Sequence, residues 1–174
     1  MKEKNEKEIL KIRAQFYAKP VEETEKKING FEVLQFLLAK EKYAFDIELV
    51  REVYSFADYS PIPCCPPHVL GVANVRGQMI PLVDLKRFFD IPQSDLPASK
   101  QAIIISLNGI ELGILADEIV GLQCMDSKKI QPGLPTLTGM RGDFLTGIGE
   151  DQVVILDGRK ILMNNSKALY EQQI

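Results

Sequence analysis

The chain has 174 residues, 45% of them hydrophobic and 26% charged, with a net charge of −3 and a pI near 5.3. That mixture is globular, and its acidic balance argues against a dedicated nucleic-acid binder, which usually carries a basic excess. One His and no Trp exclude an all-His metal cage or a di-His zincin motif and leave little for His-based acid–base chemistry, so composition points away from an enzyme.

Residues 1–30 hold eight Lys/Arg and six Glu, a net of +2, which leaves −5 on residues 31–174. Ile9, Ile12 and Phe16 recur at helical spacing ahead of Pro20. This predicts a charged, weakly amphipathic arm over 1–30, mostly flexible, ahead of a domain over 31–174. No apolar stretch follows the charged first residues, as a secretory signal would require, and no run is long enough to span a bilayer. A soluble cytoplasmic protein is expected.

From Phe31 onward the pattern is β. Phe31 to Leu38 and Tyr43 to Phe45 flank a polar turn and predict a hairpin. Asp46 is placed to cap a short helix, with Ile47 and Val50 on one face and Arg51 and Glu52 beside it. Residues 59–67 contain four prolines and predict a rigid loop. Its adjacent Cys64 and Cys65 read first as small loop or buried residues, with a redox or metal site as the alternative. His68 reads as a surface or helix-start residue.

Gly71 to Arg76 and Met79 to Leu85 flank Gly77-Gln78, which predicts a hairpin turning on Gly77 as type II′. Pro81 in the second arm predicts an edge strand or a bulge. Asp84 is expected to cap a helix beginning at Leu85, with Lys86 and Arg87 solvated. Ala102 to Leu107, Asn108-Gly109 and Ile110 to Ala116 form the strongest hairpin signal, with both turn residues suited to positive φ. Ile119 to Met125 predicts a strand and residues 126–143 a long loop. Gln152 to Leu162 reads as a last hairpin turning on Asp157-Gly158, and Asn164 to Gln173 as a short helical tail. The result is a mainly β protein built as barrels or a sandwich.

No catalytic constellation emerges. Gly147-x-Gly149 lacks the third glycine and following helix of a phosphate-binding loop, and no P-loop, G-x-S-x-G or EF-hand pattern is present. Neither a catalytic residue nor a cofactor or metal site is assigned. Arg76 is the most informative polar residue. It reads either as an ordinary surface Arg or as a planar donor fork held for a partner by an acidic neighbour.

The segment Gly71-Val72-Ala73-Asn74-Val75-Arg76-Gly77-Gln78-Met79-Ile80-Pro81-Leu82-Val83-Asp84-Leu85 resembles the CheW family, the adaptor proteins of bacterial chemosensory arrays. Tyr43-x-Phe45-Asp46-Ile47-x-x-Val50-x-Glu52-Val53, Ile103 to Asp117 and Leu145-Thr146-Gly147-Ile148-Gly149 are similar to flanking family segments in the same order, over about residues 31–163. The resemblance implies two packed SH3-like five-stranded β-barrel subdomains with short helices. It implies a non-enzymatic scaffold that couples the cytoplasmic tip of a methyl-accepting chemoreceptor to the regulatory domain of a CheA-type histidine kinase. Array rings with further copies of the adaptor are a possible extension, at the inner face of the membrane and without insertion into it.

Carried onto this chain, the partner-binding residues are Ile47, Val50, Glu52, Gly71, Asn74, Arg76, Gly77 and Ala102, with Glu52 and Arg76 as an acidic–basic pair. A helical tip in a groove needs apolar anchors and a few fixed polar groups, and many weak contacts gain strength together in a lattice. The alternatives are an adaptor of a non-motility chemosensory pathway and an SH3-like nucleic-acid binder. The second is disfavoured by the −5 charge of residues 31–174.

Overall fold

The computed structural model describes residues 30–92, 100–133 and 140–170. Residues 1–29 of the expected arm, residues 93–99, part of the 126–143 loop and the last four residues lie outside the described residues. Among the described residues, ten strands form two five-stranded sheets. The strands are β1 (Gly30–Leu38), β2 (Glu41–Asp46), β3 (Val50–Ser55), β4 (Val69–Val75), β5 (Gln78–Val83), β6 (Gln101–Leu107), β7 (Ile110–Ala116), β8 (Glu118–Asp126), β9 (Leu145–Ile148) and β10 (Val154–Leu156). The helices are α1 (Leu85–Phe88), α2 (Met140–Asp143) and α3 (Gly158–Tyr170).

The first sheet runs β8-β1-β2-β10-β9 and the second β3-β6-β7-β5-β4. Both repeat one pairing pattern: antiparallel, antiparallel, parallel, antiparallel. The chain crosses to the second sheet after β2 and returns through β8. These are the two packed SH3-like β subdomains that the family resemblance implies.

Alternating side chains decide where the cores sit. On β6, Ile103 and Ile105 enter a large core shared by both sheets, whereas Ala102 and Ile104 enter a smaller core inside the second sheet. On β1 and β2, Leu34, Phe36, Leu38, Tyr43 and Phe45 face the shared core, and Val33 and Ala44 face a third cluster. Strands buried on both faces need continuous apolar runs, which is why Ala102 to Ile105 does not alternate.

Several expectations hold. Asp46 and Asp84 cap the turns that follow them: their Oδ1 atoms accept from Glu48 N and Lys86 N, each at 2.9 Å. Asn108 and Gly109 have φ of 52° and 80°, as a type I′ turn requires. The Pro-rich stretch is a loop.

Others are corrected. Asp46 caps only a single 3₁₀ turn, Ile47–Leu49, and Val50 begins strand β3. The β4–β5 turn is centred on Arg76-Gly77, with φ of 52° and 88°, so both central residues are left-handed and Arg76 lies in the turn. Strand β5 is interior, and the pairing irregularity falls between Val69 and Gly71 on its partner β4. Pro81 is tolerated because Val72, opposite it, exchanges its backbone hydrogen bonds with Ser60 at 2.8 Å each way. Lys86 is not solvated; its Nζ sits 2.5 Å from the part-buried Asp117.

The last hairpin is also corrected. Strand β10 pairs with β9 and β2, and the chain from Gly158 onward is helix α3. Asp157 Oδ1 accepts from Lys160 N at 3.1 Å and starts that helix. Ile161 and Leu162 of α3 are buried in the shared core, so their spacing is helical and not that of a returning strand.

Candidate functional site

The candidate site lies where the edges of the second sheet approach each other. Strand β3 pairs Val50 with Ile105 and then Glu52 with Ile104, so Arg51 is an extra residue on the strand. Such a bulge re-aims side chains that strict alternation would send to opposite faces. Arg51 Nε accordingly lies 3.5 Å from Glu52 Oε1. Glu52 Oε2 accepts from Arg76 Nε at 3.0 Å, which joins β3 to the β4–β5 turn.

The turn holds Arg76 in place. Asn74 Oδ1 accepts from Gly77 N at 2.8 Å and closes the bend. The Glu52 side chain is 19% exposed and that of Arg76 is 72% exposed. The carboxylate is therefore a partly buried anchor, and the guanidinium is presented at the surface. An exposed ion pair contributes little to stability, so orientation is what this pair supplies.

Arg51 extends the cluster. Its Nη1 donates to Gln78 Oε1 at 2.8 Å and to Glu111 Oε1. Four strands (β3, β4, β5 and β7) and the β4–β5 bend thus converge on one set of charges. Arg51 reads from sequence only as a cation next to Val50. Gln78 and Glu111 give no signal there, because the bulge that gathers them is a tertiary feature.

The eight expected residues do not all share this surface. Glu52, Asn74, Arg76 and Gly77 come together at the bend. Ile47 and Val50 are half-buried against the shared core. Gly71 is buried on β4, with φ of 151°, and a Cβ there would stand 2.1 Å from Ser60 O. Ala102 is 1% exposed inside the second sheet. Those two shape the backbone beneath the site.

Clefts among the described residues flank the sheets. One of about 450 Å³ lies between the Pro-rich loop, β5, the β6–β7 turn and α3. It shares Gln78 and Glu111 with the charge cluster. Another, of about 720 Å³, opens among β2, β9 and β10. None of the eight expected residues lines either cleft.

His68 is not a surface residue. It is half-buried, its Nε2 donates to Asn165 Oδ1 of α3 at 3.0 Å, and its ring meets Phe88 edge-on at 4.8 Å. Burial lowers its pKa from 6.5, against a smaller raising effect of the Asn165 hydrogen bond. Among the described residues, no group of three or more His, Cys, Asp or Glu side chains is placed to hold a metal ion. No helix among them is long and apolar enough to cross a membrane.

Comparison with known proteins agrees with this architecture. The family model of the CheW-like domain matches residues 32–165. The chain is 28% identical to the chemotaxis protein CheW of Treponema pallidum over 138 residues, covering 75% of this chain and 81% of that protein. It is 29% identical to the chemotaxis protein CheW of Thermotoga maritima over 145 residues, 83% of this chain and 91% of that protein. Among solved structures, the scaffolding protein TtCheW of Thermoanaerobacter tengcongensis is similar with a TM-score of 0.65 and 31% identity, covering 73% of this chain and 84% of that one. With the double-sheet fold and a family model spanning most of its length, the chain belongs to the CheW-like family.

Proposed function

We propose that this protein is a chemotaxis adaptor: a non-enzymatic scaffold that couples the cytoplasmic tip of a chemoreceptor to the regulatory domain of a CheA-type histidine kinase. The observation that carries this reading is the Glu52–Arg76 pair. A half-buried carboxylate aims a surface guanidinium from a bend closed by Asn74 and Gly77. That is a recognition element, since a planar fork fixed in direction selects a partner's acceptors by geometry.

Ile47 and Val50, half-buried on the neighbouring 3₁₀ turn and strand, supply apolar contact beside the polar pair. The chain would act at the cytoplasmic face of the membrane, among receptor arrays, through protein contacts alone. The test is a pull-down with the immobilised full chain, offered a purified receptor tip fragment and, separately, a kinase regulatory domain. Retention of both is expected. Retention of neither by the folded chain overturns the reading.

A further inference from the structure

Cys64 and Cys65 are not absorbed by the adaptor surface, yet both line the cleft of about 450 Å³. Cys64 is exposed, with φ of 62°, and Cys65 is half-buried against the shared core. The positive φ is uncommon outside glycine and Asn/Asp, and here it sits inside a loop braced by Pro61, Pro63, Pro66 and Pro67. The loop is further fixed at both ends, by the Ser60–Val72 backbone pair and by Val69 N donating to Pro66 O at 2.9 Å. Two adjacent cysteines therefore line one cleft on a stiff backbone.

Closing a disulfide between them is disfavoured. Consecutive Cα atoms stand about 3.8 Å apart across a trans peptide, short of the roughly 4.4–6.8 Å that a relaxed disulfide spans. A larger soft atom held between the sulfurs, with bonds of about 2.3 Å as in zinc thiolates, relieves that restriction. The site offers only two sulfurs. The third cysteine, Cys124, stands on β8 and does not line the cleft. Among the described residues no third His, Cys, Asp or Glu joins the pair to hold a metal ion, and the pair matches a thiophilic centre that takes two sulfurs.

We propose that Cys64 and Cys65 form a bidentate thiol site for such centres, of the class of monosubstituted trivalent arsenicals. With an arsenoxide, both S–H protons leave, two S–As bonds form, and the arsenic-bound oxygen departs as one water. Arsenic stays trivalent and nothing is oxidised or reduced. The bound group lies in the cleft beside Gln78 and Glu111, the two side chains that also hold Arg51.

The test uses the reduced full chain and one equivalent of phenylarsine oxide. Intact mass is expected to show one arsenical per chain, and titratable thiols to fall from three to one. The adduct should resist excess 2-mercaptoethanol and be removed by 2,3-dimercaptopropanol. Cys64→Ser and Cys65→Ser should each abolish the resistant adduct, whereas Cys124→Ser keeps it. Because the loop is set in the folded state, ligation should also raise Tm, as any ligand favouring the native chain does. A resistant adduct surviving Cys64→Ser, one lost in Cys124→Ser, or an unchanged or lowered Tm in the adduct would overturn the proposal.

Discussion

Lys86 Nζ lies 2.5 Å from Asp117 Oδ1, and this pair ties the helix after β5 to the residue at which the chain returns to the first sheet. Asp117 Oδ2 also accepts from Ala39 N at 2.6 Å, and Asp117 N donates to Leu37 O at 3.0 Å. One carboxylate thus joins the β1–β2 turn, the β7–β8 crossover and α1. Breaking a fully buried pair strands the remaining charge and costs about 3–5 kcal/mol, and this part-buried pair falls at the lower end. Asp117→Ala should therefore lower stability by about 3 kcal/mol, read as a shift in the urea midpoint. A midpoint within error of the parent would contradict this account of how the two sheets are held.

Gly71 is the second structural test. Its φ of 151° and the 2.1 Å approach of a built Cβ to Ser60 O leave no room for a side chain. The obstacle is backbone, so it cannot swing aside. Gly71→Ala should lower Tm by several degrees, as expected for a cost of about 2 kcal/mol in a chain of this size. Gly109→Ala meets no atom within 4 Å and should cost only its left-handed φ. A smaller loss at Gly71 than at Gly109 would count against the close packing of the Pro-rich loop on β4.

Arg76 carries backbone strain at the candidate site. A left-handed φ costs a residue other than Gly or Asn about 1–2 kcal/mol, and an exposed ion pair returns about 0.2–1 kcal/mol. Arg76→Asn should leave Tm unchanged or raise it while weakening receptor binding about tenfold or more. Calorimetry on the free protein and titration with a receptor tip fragment measure the two effects. Lost stability together with retained binding would show that Arg76 serves the fold and not recognition.

His68 gives a dependence on pH. Burial holds its folded pKa below 6.5, so between the folded and unfolded values the unfolded chain binds more protons. Stability then rises with pH across that window. The His68 contribution is present above about pH 6.5 and is lost as pH falls through the folded value, loosening α3 from the loop before β4. Thermal melts from about pH 8 down to pH 5 should show a decline that His68→Gln reduces. An identical decline in that variant would assign the effect to other groups.

Local chemistry was legible in the sequence and tertiary geometry was not. The Asn108-Gly109 turn, the Asp46 and Asp84 caps and the Pro-rich loop each follow from residues within a few positions. Arg76 was visible as unusual, and Glu52 as its partner through the family resemblance. The sequence pattern places the bend one residue late, because Gly77-Gln78 satisfies one hairpin rule as well as Arg76-Gly77 satisfies another. What separates them is the register of β4 on β5, where Val75 pairs with Gln78. The β3 bulge, which gathers Arg51, Gln78 and Glu111, depends on pairing with a strand about fifty residues away. The start of helix α3 is not legible in the sequence because Ile155, Leu156, Ile161 and Leu162 form apolar pairs that fit a strand or a helix until the packing partner is known.

The most direct test of an adaptor joining two proteins is assembly of all three. Analytical ultracentrifugation of the full chain with a receptor tip fragment and a kinase regulatory domain should give one species containing all three. Replacing the chain by its folded Arg76→Glu variant should release the receptor fragment and keep the kinase domain. If receptor and kinase displace each other, or if Arg76→Glu retains the receptor with unchanged affinity, the coupling role assigned to the Glu52–Arg76 surface is wrong.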